Sequence, residues 1–174
     1  MALNSAKRVL RLPDKGKLLV CTDLHGNLRD FNQMREIFVN IRKKSPFAYL
    51  LFTGDLIHGP SPMDRADWPL SFGEYYEDQS GEVVDGFLQL KRDFEGQVNC
   101  LLGNHEHSHV GGPHTPKFWN DETAHFERTV GPERAERYKD FFRSFPLVAT
   151  TSCGVALTHA APNVKIDSVE TLES

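Results

Sequence analysis

Lys17-Leu-Leu-Val-Cys-Thr-Asp23-Leu-His25-Gly26-Asn27 decides the fold of this chain. Its opening six residues, Lys17 to Thr22, are a short apolar run of the kind that forms a buried strand. The run stops at Asp23-x-His25. A helix then begins, with Asn27 placed as a cap and Asp30 three positions on. Leu28, Phe31, Met34, Phe38 and Ile41 follow at helical spacing. The same grammar recurs twice. Phe47 to Thr53 reads as a strand and closes on Gly54-Asp55. Val84, Phe87, Leu88 and Lys91 mark a helix, after which Gln97 to Leu102 reads as a third strand and closes on Gly103-Asn104-His105-Glu106. Strands alternating with helices predict an α/β chain with a parallel sheet.

Further along, Glu122 to Val130 and Pro132 to Phe145 are helical stretches. Their mixed Glu and Arg content predicts a solvated face. Leu147 to Thr151 and Val155 to Thr158 read as two strands around a turn at Cys153-Gly154, the start of a second sheet. Residues 59 to 82, with Pro60, Pro62, Pro69 and Gly73, show no period and read as an insertion loop. Loops of that length in compact domains usually carry function. The 174 residues suffice for one domain, residues 1–174, with its own core.

Composition narrows the function classes. With 39% apolar and 25% charged residues the chain is of ordinary globular type. A net charge of −4 argues against non-specific nucleic-acid binding. No apolar run approaches the roughly 18 residues needed to span a bilayer, so no membrane partner is expected. Met1 to Lys17 lacks the apolar region of a secretory signal, and the expected location is cytoplasmic. Cys21, Cys100 and Cys153 lie in or beside apolar runs without a CxxC pair, which predicts buried, reduced thiols.

Chemistry concentrates at the strand ends. In open α/β sheets, sites form beyond the carboxyl ends of strands. Asp23 and His25, Asp55, Asn104 and His105, and finally His159 each follow a predicted strand directly. Taken singly, each cluster has a plain reading as a cap or a turn. In this order, each closing an apolar run, they predict one shared metal-binding site. His107, His109 and His114 fall in a Gly/Pro-rich loop and read as solvated, and His125 reads as surface.

Asp23-Leu-His-Gly26, Gly54-Asp55, Gly103-Asn-His-Glu106 and Thr158-His-Ala resemble the successive motifs of the metallophosphoesterase superfamily. The likeness is to its phosphoprotein phosphatase-like (calcineurin-like) branch, which includes diadenosine tetraphosphatase relatives, and it runs from about Lys17 to Pro162. The resemblance implies an α/β/β/α sandwich. Its second sheet is expected to be incomplete, because relatives carry a further ligand His and a phosphate-gripping Arg beyond the His159 motif and this chain ends at Ser174. It implies two divalent metal ions, Mn²⁺ foremost with Fe or Zn²⁺ as alternatives. Their ligands would be Asp23, His25, Asp55 as the bridging carboxylate, Asn104 and His159. It implies His105 as general acid, a structural role for Glu106, and a phosphorylated substrate.

Two positions depart from the branch. His58 stands where relatives carry the Asp that supports the catalytic His, and Gly59 stands where they carry a phosphate-gripping Arg. Glycine cannot replace a bidentate guanidinium. His58 and Asn104 are therefore the expected substrate contacts, with Arg29 and Arg65 as further candidates. Three readings remain open: a phosphomonoesterase, with phosphoserine and phosphothreonine among its candidate substrates; a nucleotide or dinucleoside polyphosphate hydrolase; and a non-catalytic binding scaffold of the same fold.

Overall fold

The structure, a computed structural model, describes residues 7–60, 64–114, 116–117, 120–161 and 165–173. The first sheet holds β2 (Lys17–Cys21), β3 (Ala48–Phe52) and β4 (Val98–Cys100), all parallel and in that order. Helix α1 (Leu28–Lys44) connects the first pair and α2 (Ser80–Asp93) the second. Asn27 caps α1 as its sequence predicts, its side chain accepting from the Asp30 amide at 3.0 Å. Arg42, Lys43 and Lys44 stand in the last turn, where the helix dipole favours cations. Helix α2 starts at Ser80, ahead of the expected Val84, because the Asp78 carboxylate accepts from the Ser80 amide and closes the chain into a turn.

The second sheet was only half legible. It contains β1 (Val9–Arg11), β7 (Val148–Thr150) and β8 (Ala156–Thr158), in the order β1-β7-β8. The β7–β8 hairpin is antiparallel, as its sequence predicts. Strand β1 was not expected: its three residues are too few to show a period, and among the described residues its strand partner is the distant β7, in parallel register. Between the sheets' last connections lie α3 (Asn104–Ser108), the short strands β5 (Pro116–Lys117) and β6 (Asn120–Asp121), α4 (Glu122–Val130) and α5 (Pro132–Phe142).

β3 explains the layering. Its side chains alternate between two faces. Ala48, Leu50 and Phe52 point into a large cluster with Phe31, Phe38, Val84, Phe87, Tyr138 and Phe142 from the helices. Leu51 points the other way, into a cluster with Leu12, Leu101 and Ala149 that joins the two sheets. The layers are therefore helix, sheet, sheet. Burying rings such as Phe87, at 0% exposure, contributes roughly 2–3 kcal/mol each. Phe52 and Phe87 meet edge to face at 5.5 Å.

The insertion is ordered around Trp68, which packs against Phe72, Tyr75 and Tyr76 at ring distances of 5.2–5.6 Å. Tyr76 then ties it back by donating to the His25 carbonyl at 3.2 Å. One cysteine expectation is corrected. Cys21 and Cys100 are buried, but Cys153 is exposed because it sits at the tip of the β7–β8 turn. Among the described residues no helix is long and apolar enough to cross a membrane.

Candidate metal centre

The turns after β2, β3 and β4 pack against one another through their backbones. The His25 amide donates to the Asp55 carbonyl at 2.9 Å, and the Gly26 amide to the Leu56 carbonyl at 2.8 Å. Approach this close needs glycine. A Cβ on Gly54, whose φ is +110°, would lie 2.6 Å from the Gly103 backbone, and one on Gly103 would lie 2.3 Å from Asp55 Oδ1. Asp23, His25, Asp55 and His58 all adopt positive φ, between 40° and 65°. A side chain in that region costs roughly 1 kcal/mol or more, and such strain clusters at functional sites.

Glu106 holds the arrangement. Fully buried, it accepts from the amides of Leu56 (2.8 Å), Asp55 (2.9 Å) and Gly103 (3.2 Å), which clamps the β3 turn to the β4 turn. Burial, then the nearby Asp55, pushes its carboxyl up to about 7. Burial also raises Asp55, against the His105 amide, which donates to Oδ1 at 3.1 Å, and against His159 and His25.

Asp55 Oδ2 faces a ring of donors: His159 Nε2 at 3.4 Å, His25 Nε2 at 3.9 Å and His105 Nε2 at 3.9 Å. Asp23 Oδ1 lies 4.0 Å from His25 Nε2, and Asn104 Oδ1 lies 2.8 Å from His159 Nε2. Of the three groups of potential ligands among the described residues, two lie at Asp55, His25–Asp55–His105 and Asp23–Asp55–His159, and the third, His58–His105–Glu122, lies behind His105. In each, the donor atoms lie within 4.8 Å of one another, and Asp55 belongs to the first two.

The tautomers suit a cation. His159 Nδ1 sits 3.0 Å from the Thr53 carbonyl and His25 Nδ1 sits 3.3 Å from the Ile57 carbonyl. A carbonyl can only accept, so in each neutral ring Nδ1 carries the proton and Nε2 turns its lone pair to the centre. The Asn104 amide oxygen and the His159 lone pair, 2.8 Å apart, then repel unless a cation lies between them. The donor set of carboxylate, amide oxygen and imidazole fits a divalent metal of the Mn²⁺, Fe or Zn²⁺ type.

On the far side of His105 the histidines form a chain. His105 Nδ1 is 2.8 Å from His58 Nδ1, His58 Nε2 is 2.9 Å from His109 Nε2, and His109 Nδ1 is 2.9 Å from Glu127 Oε1. Lys139 closes it with a 2.9 Å pair to Glu127. Burial pushes the His109 imidazole below its ordinary value, against the pull of Glu127. Burial pushes the Glu127 carboxyl up, but the hydrogen bonds from Lys139 and His109 outweigh it and leave the group lowered.

His58 is thus buried beside His105 with both ring nitrogens facing other histidines. A contact with phosphate would require one of them to be given up. His109 corrects its sequence reading: it is buried among Phe126, Phe142 and His58, not solvated. His107 and His114 are exposed as expected, and His125 is half-buried. The solvated-face reading of the α4 stretch is also corrected. Glu122, in its first turn, is buried, with Oε2 3.4 Å from His105 Nδ1 and 3.8 Å from His58 Nδ1. No local sequence signal marks it.

Gly59 has a physical reason for lacking a side chain. A Cβ there would meet the Asp78 side chain at 2.9 Å and the His25 carbonyl at 2.8 Å. Arg29 pairs with Glu74 and Asp30, and Arg65 lies over the Tyr75 ring. A cavity of about 730 Å³ lined by Val9, Arg11, Lys91 and Asn99 contains none of these site residues.

The family model of calcineurin-like phosphoesterases matches residues 16–174, and the chain belongs to that family. Among solved structures it is similar to a protein serine/threonine phosphatase from Saccharomyces cerevisiae that has similarity to human phosphatase PP5. Identity is 20%, the TM-score is 0.57, and the match covers 95% of this chain and 45% of that one. It is also similar to a protein assigned as a diadenosine tetraphosphatase, at 19% identity and a TM-score of 0.52, covering 92% of this chain and 58% of that one. The chain therefore spans about half the length of these structures. No curated protein sequence matches it closely.

Proposed function

We propose that this chain carries the active centre of a two-metal phosphoesterase that hydrolyses phosphomonoesters. The observation that carries the reading is the sharing of Asp55 Oδ2 between two ligand sets, the arrangement a bridging carboxylate requires. Asp23, His25 and Asp55 would hold one ion, and Asp55, Asn104 and His159 the other; in the structure Asp23 also groups with Asp55 and His159, and His105 with His25 and Asp55, so this partition places Asp23 with its 4.0 Å neighbour His25 and keeps His105 for proton transfer. Mn²⁺ is the first expectation. When bound, two such cations neutralise a phosphate ester and activate water for in-line attack.

The protein's own share is positional. Thr53 and Ile57 carbonyls aim the His159 and His25 lone pairs inward. Glu106 fixes the Asp55 turn. His105 faces the same centre through Nε2, the atom that would protonate the leaving oxygen as general acid. Asn104, exposed at the mouth, is the expected substrate contact. His58 supports His105 in place of the direct phosphate contact its sequence position suggests. A scaffold without chemistry would have no use for an inward-facing His105, which favours the enzymatic reading.

The test is hydrolysis of p-nitrophenyl phosphate together with metal analysis. About two divalent ions per chain, loss of turnover on chelation and recovery with Mn²⁺ are expected. Undiminished hydrolysis after exhaustive metal removal would sink the proposal.

A further inference from the structure

The cavity of about 730 Å³ lies where the two sheets end. Among the described residues β1 is an edge strand of one sheet and β4 an edge strand of the other, and both contribute to its lining. Lys91, from the last turn of α2, and the turn after α5, Ser144 to Pro146, complete the walls. None of the metal-centre residues reaches it. Its volume falls within the roughly 300–1,000 Å³ of small-molecule sites.

The sign of its charge is opposite to that of the chain. Lys7, Arg8, Arg11 and Lys91 line it with a single carboxylate, Glu173, so the lining carries a net charge of +3 in a chain whose net charge is −4. Arg11 is matched by Glu173 at 3.4 Å and Glu170 at 3.8 Å. Lys7, Arg8 and Lys91 have no ion pair among the described residues. A concave site lined by one sign of charge concentrates counter-ions.

The donors around the cavity are also unfilled. Lys91 Nζ donates to the Val98 carbonyl at 3.1 Å and to Asn99 Oδ1 at 3.2 Å. Both acceptors are neutral, and the third N–H of the ammonium has no acceptor among the described residues. Burial pushes the Lys91 ammonium below its ordinary value, as expected of a cation held without a counter-ion. Because Lys91 can only donate, Asn99 turns its oxygen towards it, and the Asn99 NH₂ is left without an acceptor among the described residues. The Arg8 backbone is anchored, its carbonyl accepting from the Leu147 amide at 2.8 Å, while its guanidinium has no acceptor among the described residues. One anion would satisfy all three groups. Three donor side chains and a lining of +3 suit a dianion with three oxygens better than a singly charged carboxylate. Leu10, Phe145 and Pro146 supply an apolar stretch of wall, which a bare inorganic ion would leave uncovered.

We propose that this cavity is a second ligand site, separate from the metal centre, for a small organic phosphate. Its anionic group is held by Lys91, Asn99 and Arg8, and its apolar body lies against Phe145 and Pro146. The proposal does not depend on the phosphoesterase reading.

Calorimetric titration of the full chain with phenylphosphonate tests it. This probe carries a phosphate-like head and a ring, and it has no ester bond to break. The chain is titrated as isolated and again after chelation and dialysis, because a metal centre also attracts phosphonates. Saturable binding should survive chelation and should survive Asn104→Ala. Arg8→Gln and Lys91→Met should each weaken it roughly 10-fold or more, the worth of a hydrogen bond to a charged group. Arg8 is exposed, so Arg8→Gln keeps the test decisive if Lys91→Met fails to fold. Inorganic phosphate should bind at least about fivefold more weakly for want of an apolar body. Benzoate should do the same for want of charge and a third oxygen.

Binding that is lost on chelation, or in Asn104→Ala, and is indifferent to Arg8→Gln places the probe at the metal centre and overturns the proposal. Equal affinity for inorganic phosphate or for benzoate overturns it as well. Tighter binding of a polyglutamate peptide would overturn it in favour of an acidic protein segment. No saturable binding at millimolar phenylphosphonate would end it outright. A chain that binds the probe at this cavity yet hydrolyses no ester would leave the site standing while the phosphoesterase reading falls.

Discussion

Replacing Glu106 by glutamine should separate what holds the site from what performs its chemistry. The carboxylate accepts three backbone amides with two oxygens, Leu56 on Oε1, Asp55 and Gly103 on Oε2. A glutamine keeps one oxygen. Its best placement serves Asp55 and Gly103 and turns the amide NH₂ towards the Leu56 N–H, donor against donor. A buried donor left without an acceptor costs about 1–3 kcal/mol. Relief from burying a charge, visible in the carboxyl pushed up to about 7, offsets part of this. The net destabilisation should be about 1–2 kcal/mol, which in a chain of this size lowers Tm by about 2–8 °C. The loosened turn carries Asp55, so metal affinity should fall roughly 10- to 100-fold although Glu106 binds no metal. Thermal unfolding of the metal-free protein gives the first number and metal titration the second. A Tm within 1 °C of wild type together with metal affinity within about twofold would refute the clamp.

Asp23→Gly should stabilise the metal-free protein by about 1 kcal/mol, because it relaxes a residue at φ 40° and removes a carboxylate close to Asp55, while metal binding weakens. Chemical denaturation with and without Mn²⁺ checks both signs, and a destabilised metal-free variant would count against stored strain. Of the three thiols, Cys153 alone should react promptly with a thiol reagent under native conditions. Burial pushes the Cys21 thiol up to about 11 and the Cys100 thiol well above its usual value, so two or three fast thiols would contradict the packing.

The strand-end motifs were legible because their chemistry is local. Asp23, His25, Asp55 and Asn104 each follow a strand or its turn directly, so placing the strands placed the residues. The cap at Asn27 was legible for the same reason. Strand β1 was not, since three residues show no period and its strand partner lies more than 130 positions away. His109 and Glu122 were misread because their burial depends on how α4 and α5 seat against α3, which charge pattern does not encode. A Glu in a mixed-charge helix looks solvated whether it faces water or His105. The departure at position 58 was visible, but the burial of Glu122 beside it was not, because that segment carries no motif.

The contact between Gly59 and Asp78 has an evolutionary consequence. The two positions are not free to vary independently. An arginine arising at 59 by a single change would drive its Cβ into Asp78 and the His25 carbonyl, so a guanidinium cannot be introduced there without a shift of this junction. Asp78 is itself engaged, accepting from the Ser80 amide and hydroxyl at the head of α2, and Ser80 in turn receives the His58 amide. The insertion loop and position 59 are thus coupled: a larger residue at 59 requires Asp78 to move.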